Sequence, residues 1–147
     1  MATIRKDIPL KAPAARVWDV IRDVGAIHTR LAPGFVVDTR LEEGARVPAG
    51  TGSRAFARVV TFANGLVARE LIVTVDDEAK RLVYSVVGGA ATHHNASFQV
   101  IPTADGQTSL VWITDVLPDN VATPLGAMID AGSTVIRRTL DEAHNNK

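Results

Sequence analysis

No cysteine occurs among the 147 residues, which removes disulfides and thiolate metal ligands and fits a reducing compartment. Net charge is missing as well: 16 Lys plus Arg balance 16 Asp plus Glu. A neutral chain sets up no field to hold a polyanion, so nucleic acid and anionic membrane are not expected partners. No apolar run approaches the roughly 20 residues that span a bilayer. The opening "MATIRKDIPL" lacks the apolar core and cleavage site of a secretory signal, and the expected location is the cytoplasm. No Ser stands in a Gly-x-Ser-x-Gly turn, and "GTGS", Gly50 to Ser53, lacks the lysine of a phosphate-binding loop. Neither nucleophilic catalysis nor a cofactor is expected.

What is present is an ordinary globular mixture, 46% apolar and 22% charged. No repeat, low-complexity tract or linker divides it, so residues 1–147 are expected to form one domain. In "TIRKDIPLKA", Ile4, Lys6 and Ile8 alternate and predict a first strand. In "PAARVWDVIRDV", Val17, Val20, Ile21 and Val24 recur at helical spacing, and Pro13 suits the first turn. "GAIHTRLAPG" predicts a short second helix stopped by Pro33 and Gly34. The period then becomes two, broken by turn signals, which gives six strands near 35–42, 53–61, 66–76, 81–88, 94–102 and 108–117. "TPLGAMIDAGSTVIRRTLDEA" closes the chain as a long helix with Leu125, Ile129, Gly132, Ile136 and Leu140 in one stripe. The order predicts an α+β fold: a seven-stranded antiparallel sheet, two short helices after strand 1, and a long C-terminal helix across the inner face. If the sheet curves around that helix, the space between them is a cavity.

Alternation assigns the faces. Asn95, Ser97 and Gln99 are polar, so His94, Ala96, Phe98 and Val100 point inward and His93 does not. Arg81 and Ser85 face out, which sends Leu82, Tyr84 and Val86 in. Leu110, Trp112, Thr114 and Val116 form a third inward row. Two strands put charge on an apolar face: Arg54 and Arg58 with Phe56, and Glu70 with Leu66, Ala68 and Ile72. Across the "FANG" turn Arg58 and Glu70 can lie nearly opposite, either as a buried pair or as rim residues on a solvated face. Val67, Leu71, Val73 and Val75 then make an unusually apolar outer face, a candidate contact surface for a protein partner or a homodimer.

Adjacent strand residues point opposite ways, so His93 and His94 cannot ligate one ion, and no metal site is expected. His94, Tyr84, Glu70, Arg58 and Trp112 could converge on one cavity, where an imidazole beside apolar walls could move a proton at an enolisable carbonyl. The plainer reading makes His94 a satisfied strand residue and Tyr84 a core residue.

"IPLKAPAARVWDVIRD", "GSRAFARV…NG", "RELIVTVDDEAKRLVYSVVGG" and a "VW" strand before the last helix resemble the START-related polyketide cyclase/dehydrase and lipid-transfer superfamily. The resemblance covers about residues 3–143 and implies the helix-grip fold, shared by birch-pollen-allergen-like proteins and the abscisic acid receptors. Those receptors imply pocket positions for Glu70, for Tyr84 and Val86 before the Gly-Gly pair, and for His94. The chain departs from them at the gate and latch loops, with "FANGL" and "GGAATHH" instead, so hormone reception is not predicted. The expected function is to hold a small hydrophobic or amphipathic molecule, such as a lipid or polyketide, for binding or transport. The alternatives are a cyclase- or dehydratase-like lyase with His94 as acid–base, or an adaptor using its outer sheet. The expected ligand-binding residues are Phe56, Arg58, Glu70, Ile72, Tyr84, Val86, His94, Phe98, Trp112, Ile129, Gly132 and Ile136, surrounding one pocket. Gly132 is included because a missing side chain on the buried stripe leaves space.

Overall fold

The structure, a computed structural model, describes residues 2–43 and 56–145. Strand β1 (Ala2–Leu10) leads to helix α1 (Ala14–Ile21) and a single π-helical turn (Ile27–Leu31). Six strands follow: β2 (Val36–Glu43), β3 (Phe56–Phe62), β4 (Val67–Asp76), β5 (Arg81–Val87), β6 (His93–Pro102) and β7 (Thr108–Leu117). A 3-10 turn (Asp119–Val121) opens into α2 (Ala122–Asn145). The sheet order is β1-β7-β6-β5-β4-β3-β2, antiparallel throughout. This is the α+β helix-grip arrangement. Residues 53–55 of the expected third strand, with Arg54 and "GTGS", lie outside the described residues.

Helix α1 is amphipathic, and it buries Val17, Trp18, Val20 and Ile21. Pro13 stands just before it as the N-cap, with an extended backbone, so its ring meets no preceding turn. Trp18 fastens the helix to the sheet, because its indole N–H donates to Asp77 Oδ1 at 2.8 Å in the β4–β5 turn. The expected second helix shrinks to the π turn, which buries Ile27 and Leu31. In α2 the stripe Ile129, Gly132, Ile136 and Leu140 is buried, joined by Ser133. The outer face of α2 carries Asp130, which accepts from Lys6 Nζ of β1 at 2.9 Å.

Registers decide which side chains reach the inside. Tyr84 pairs with Ala96, Phe98 with Trp112, and His94 with Val116, so the inward rows of β5, β6 and β7 stand side by side. In β4 the register shifts between Ile72 and Thr74. Val73 is the extra residue of this bulge and is 50% exposed. Beyond it the parity reverses: Val75 pairs with buried Leu82 and packs against the core. The expected outer row is therefore corrected. Val67 and Val73 are exposed, but Val75 belongs inside, because one inserted residue moves every later side chain to the other face.

Candidate functional site

A cavity of about 290 Å³ lies between the sheet and the first turns of α2. Its floor is the sheet: Ala68 and Glu70 from β4, Tyr84 and Val86 from β5, His94 from β6, Trp112 and Thr114 from β7. Val121, Leu125, Met128 and Ile129 close it from the helix side. Leu66 and Val67 edge it on one side, and Val87 to Ala91 on another. Gly88 and Gly89 both have φ near +80°, a backbone state that carries the chain around this edge without a Cβ clash.

A second, smaller recess of about 50 Å³ lies deeper, bordered by Arg58, Val60, Phe98, Gly132 and Ile136. Phe35, Phe62, Glu70, Tyr84 and Trp112 border both spaces. The single pocket expected from the sequence is thus two, with aromatic rings between them. Phe35 and Phe62 meet edge to face at 5.5 Å and also border an open groove beside Pro33, Asn64 and Val135.

The polar side chains are held in fixed relations. Arg58 and Glu70 are opposite each other across the β3–β4 ladder. Arg58 Nε donates to Glu70 Oε1 at 2.7 Å, and both residues are buried, 3% and 6% exposed. Arg58 also donates to the Val24 carbonyl at 3.4 Å, and its guanidinium stands 5.1 Å from the centre of the Tyr84 ring. A desolvated cation over an aromatic face is stabilised by the ring quadrupole. Trp112 donates its indole N–H to the Tyr84 hydroxyl at 3.1 Å, and its own ring stacks on Phe98 at 4.8 Å.

Burial pushes the Tyr84 phenol well above the usual tyrosine range, and the Glu70 carboxylate adds to the shift, so Tyr84 remains a protonated donor. Burial also holds the His94 imidazole below 6.5, with the charge of His93 adding a smaller push, so His94 is neutral at physiological pH. The cavity can therefore offer a phenol O–H, a neutral imidazole and a paired carboxylate within mostly apolar walls.

Of the residues expected from the sequence, Glu70, Tyr84, Val86, His94, Trp112 and Ile129 border the main cavity, and Arg58, Phe98, Gly132 and Ile136 the recess. Ile72 borders neither: it is 4% exposed and packed into the core beside Tyr84. At Gly132 the open space is limited to the edge of the small recess. A Cβ there would stand 3.1 Å from Phe35 Cε2 and 3.5 Å from Trp112 Cζ3, so the glycine makes room for two rings. Phe56 opens β3, and its side chain lies outside what the structure describes. His93 pairs with exposed Leu117 and does not border the cavity. Sequence reasoning missed Phe62, although Arg58, Val60 and Phe62 share one parity and extending the third strand by one residue finds it. Phe35 and the 87–91 edge carry no periodic signal.

The sequence matches, over residues 1–143, the family described as polyketide cyclase/dehydrase and lipid transport. No curated protein matches it. Among solved structures, a solution structure from Thermobifida fusca is 30% identical, covering 99% of this chain and 95% of that one, with a TM-score of 0.77. An uncharacterised Bacillus thuringiensis protein is 16% identical at a TM-score of 0.76, covering 95% of this chain and 98% of that one. Norcoclaurine synthase from Thalictrum flavum shares the fold at 21% identity and a TM-score of 0.63, with 92% of each chain covered. The chain belongs to the polyketide cyclase/dehydrase and lipid transport family.

Proposed function

We propose that the protein binds a small, largely apolar molecule in the cavity between its sheet and α2. The observation that carries this reading is the cavity itself. Its volume of about 290 Å³ is close to the lower end of the roughly 300–1,000 Å³ common for small-molecule sites. Apolar side chains supply most of the wall, and Glu70, Tyr84, His94 and Thr114 supply the few polar groups that would orient a guest. Apolar walls drive transfer of the guest from water in proportion to the area covered, while the polar groups select its orientation. Binding alone suffices for carriage of the guest between sites.

Native mass spectrometry of freshly purified protein tests this. A co-purified small molecule, or saturable uptake of an environment-sensitive apolar dye that α2 substitutions at Leu125 or Ile129 weaken, is the expected result. If no molecule is retained and no dye is taken up, the reading fails.

A second reading is favoured by one observation. His94 borders the cavity as a neutral imidazole and so can accept a proton from a bound substrate. In this reading the protein is a cyclase- or dehydratase-like lyase, and turnover of an enolisable carbonyl substrate should vanish in His94→Gln while binding persists.

A further inference from the structure

Charge is distributed unevenly around the cavity. Among the described residues that border it, Glu70 is the one formally charged side chain. Its cation partner Arg58 stands behind it, on the recess side, and does not reach the main space. A guest anion would therefore meet a carboxylate with no cation facing it, after losing its own hydration. A guest ammonium would meet a carboxylate whose Oε1 is already engaged by Arg58 at 2.7 Å. It would lose its hydration shell for a charge that is already compensated.

The hydroxyl of Tyr84 points to the complementary requirement. It accepts the Trp112 indole N–H at 3.1 Å, which leaves its own O–H to donate. Among the described residues no acceptor takes that proton. An unmatched donor in a desolvated wall is costly, and a donor polarised by an N–H on its oxygen is the stronger for it. His94 adds a neutral ring and Thr114 a buried hydroxyl, neither of which changes the charge count.

We infer that the cavity is built for an uncharged guest carrying an accepting oxygen, a ketone or similar carbonyl placed at the Tyr84 hydroxyl, and that it rejects carboxylates and ammonium groups of the same shape. The inference rests on the binding reading of the same cavity. It excludes free fatty acids from the guests and admits neutral carbonyl compounds.

A matched series at neutral pH tests it by calorimetry: 2-acetylnaphthalene, 2-naphthoate, 2-(aminomethyl)naphthalene as its ammonium ion, and 2-ethylnaphthalene as the uncharged hydrocarbon. The ketone should bind about tenfold tighter than the hydrocarbon, the difference of one well-made hydrogen bond to an otherwise unmatched donor. Both ions should bind more weakly than the hydrocarbon. Tyr84→Phe should erase the ketone's advantage, and if that variant does not fold, the wild-type ranking decides alone. A carboxylate or ammonium ion bound as tightly as the ketone overturns the inference and leaves the cavity reading standing. So does a ketone no better than the hydrocarbon. Absence of binding by all four, the hydrocarbon included, overturns the cavity reading and this inference with it.

Discussion

Arg58 and Glu70 face each other across adjacent strands, Nε to Oε1 at 2.7 Å, with both side chains nearly sealed from water. Two charges in such a place are tolerable only together. Their attraction offsets the desolvation of each, and the Val24 carbonyl and the Tyr84 ring take up the rest of the guanidinium.

Removing one partner should therefore be far more damaging than removing both. Arg58→Ala should cost about 3 kcal/mol, because it leaves a buried carboxylate without its cation. Adding Glu70→Gln should recover a substantial part of that loss. The exposed Arg5–Asp7 pair, at 2.9 Å, is the control, and Arg5→Ala should cost less than about 1 kcal/mol. Chemical denaturation of the three variants checks this, and a double mutant as unstable as Arg58→Ala alone would argue against coupling.

His94 should give the stability curve a pH dependence of defined sign. Unfolded, it titrates near 6.5, and burial holds it lower in the folded chain. Between those two values the unfolded chain takes up a proton that the folded chain refuses. Stability is thus fully present above 6.5 and is lost as pH falls through the window toward the folded value. Thermal unfolding of wild type and His94→Gln from about pH 7.5 to about pH 5 should show a shallower decline in the variant. Parallel curves would mean that His94 is not desolvated.

Gly132→Ala opposes two effects. Alanine in a helix interior gains about 1 kcal/mol over glycine. The new methyl would press on Phe35 Cε2 at 3.1 Å, and the ring must yield by a few tenths of an ångström. That ring borders open space on more than one side, so it can move, and the variant should melt higher than wild type. The displaced ring alters the wall, so a guest should bind less tightly. A lower melting temperature would show that the ring is pinned.

The bulge in β4 predicts a contrast between near neighbours. Val75→Ala removes two methyl groups packed against the core and should cost about 1 kcal/mol. Val73→Ala, at the half-exposed bulge position, should stay within about 0.5 kcal/mol of wild type. Equal costs at both positions would place the bulge elsewhere.

Much of this fold is legible in the sequence, because its strands alternate cleanly. Polar Asn95, Ser97 and Gln99 leave one assignment for His94, and Arg58 and Glu70 on apolar faces flag each other across a short turn. Alternation is a local rule, however. An extra residue such as Val73 resets it without any compositional mark, which is why Val75 reads as outward from the sequence. The same rule is silent about segments that do not alternate, and Phe35 and the 87–91 edge of the cavity lie in or beside such segments. Ile72 shows a different limit: parity tells which face a residue occupies, and the position of α2 above that face decides whether it meets space or packing.

Phe35 and Phe62 border the main cavity, the recess and the outer groove at once. Two rings on neighbouring strand ends thus meet all three spaces, whereas Tyr84 and Glu70 border only the inner two and His94 only the main cavity. At the outer boundary, capacity is set by two residues that carry none of the hydrogen-bonding chemistry. A smaller side chain at either ring would join compartments and admit a larger guest while its polar group still met the same donors. A scaffold divided in this way can change the size of the space it encloses one aromatic residue at a time, without rebuilding its polar groups.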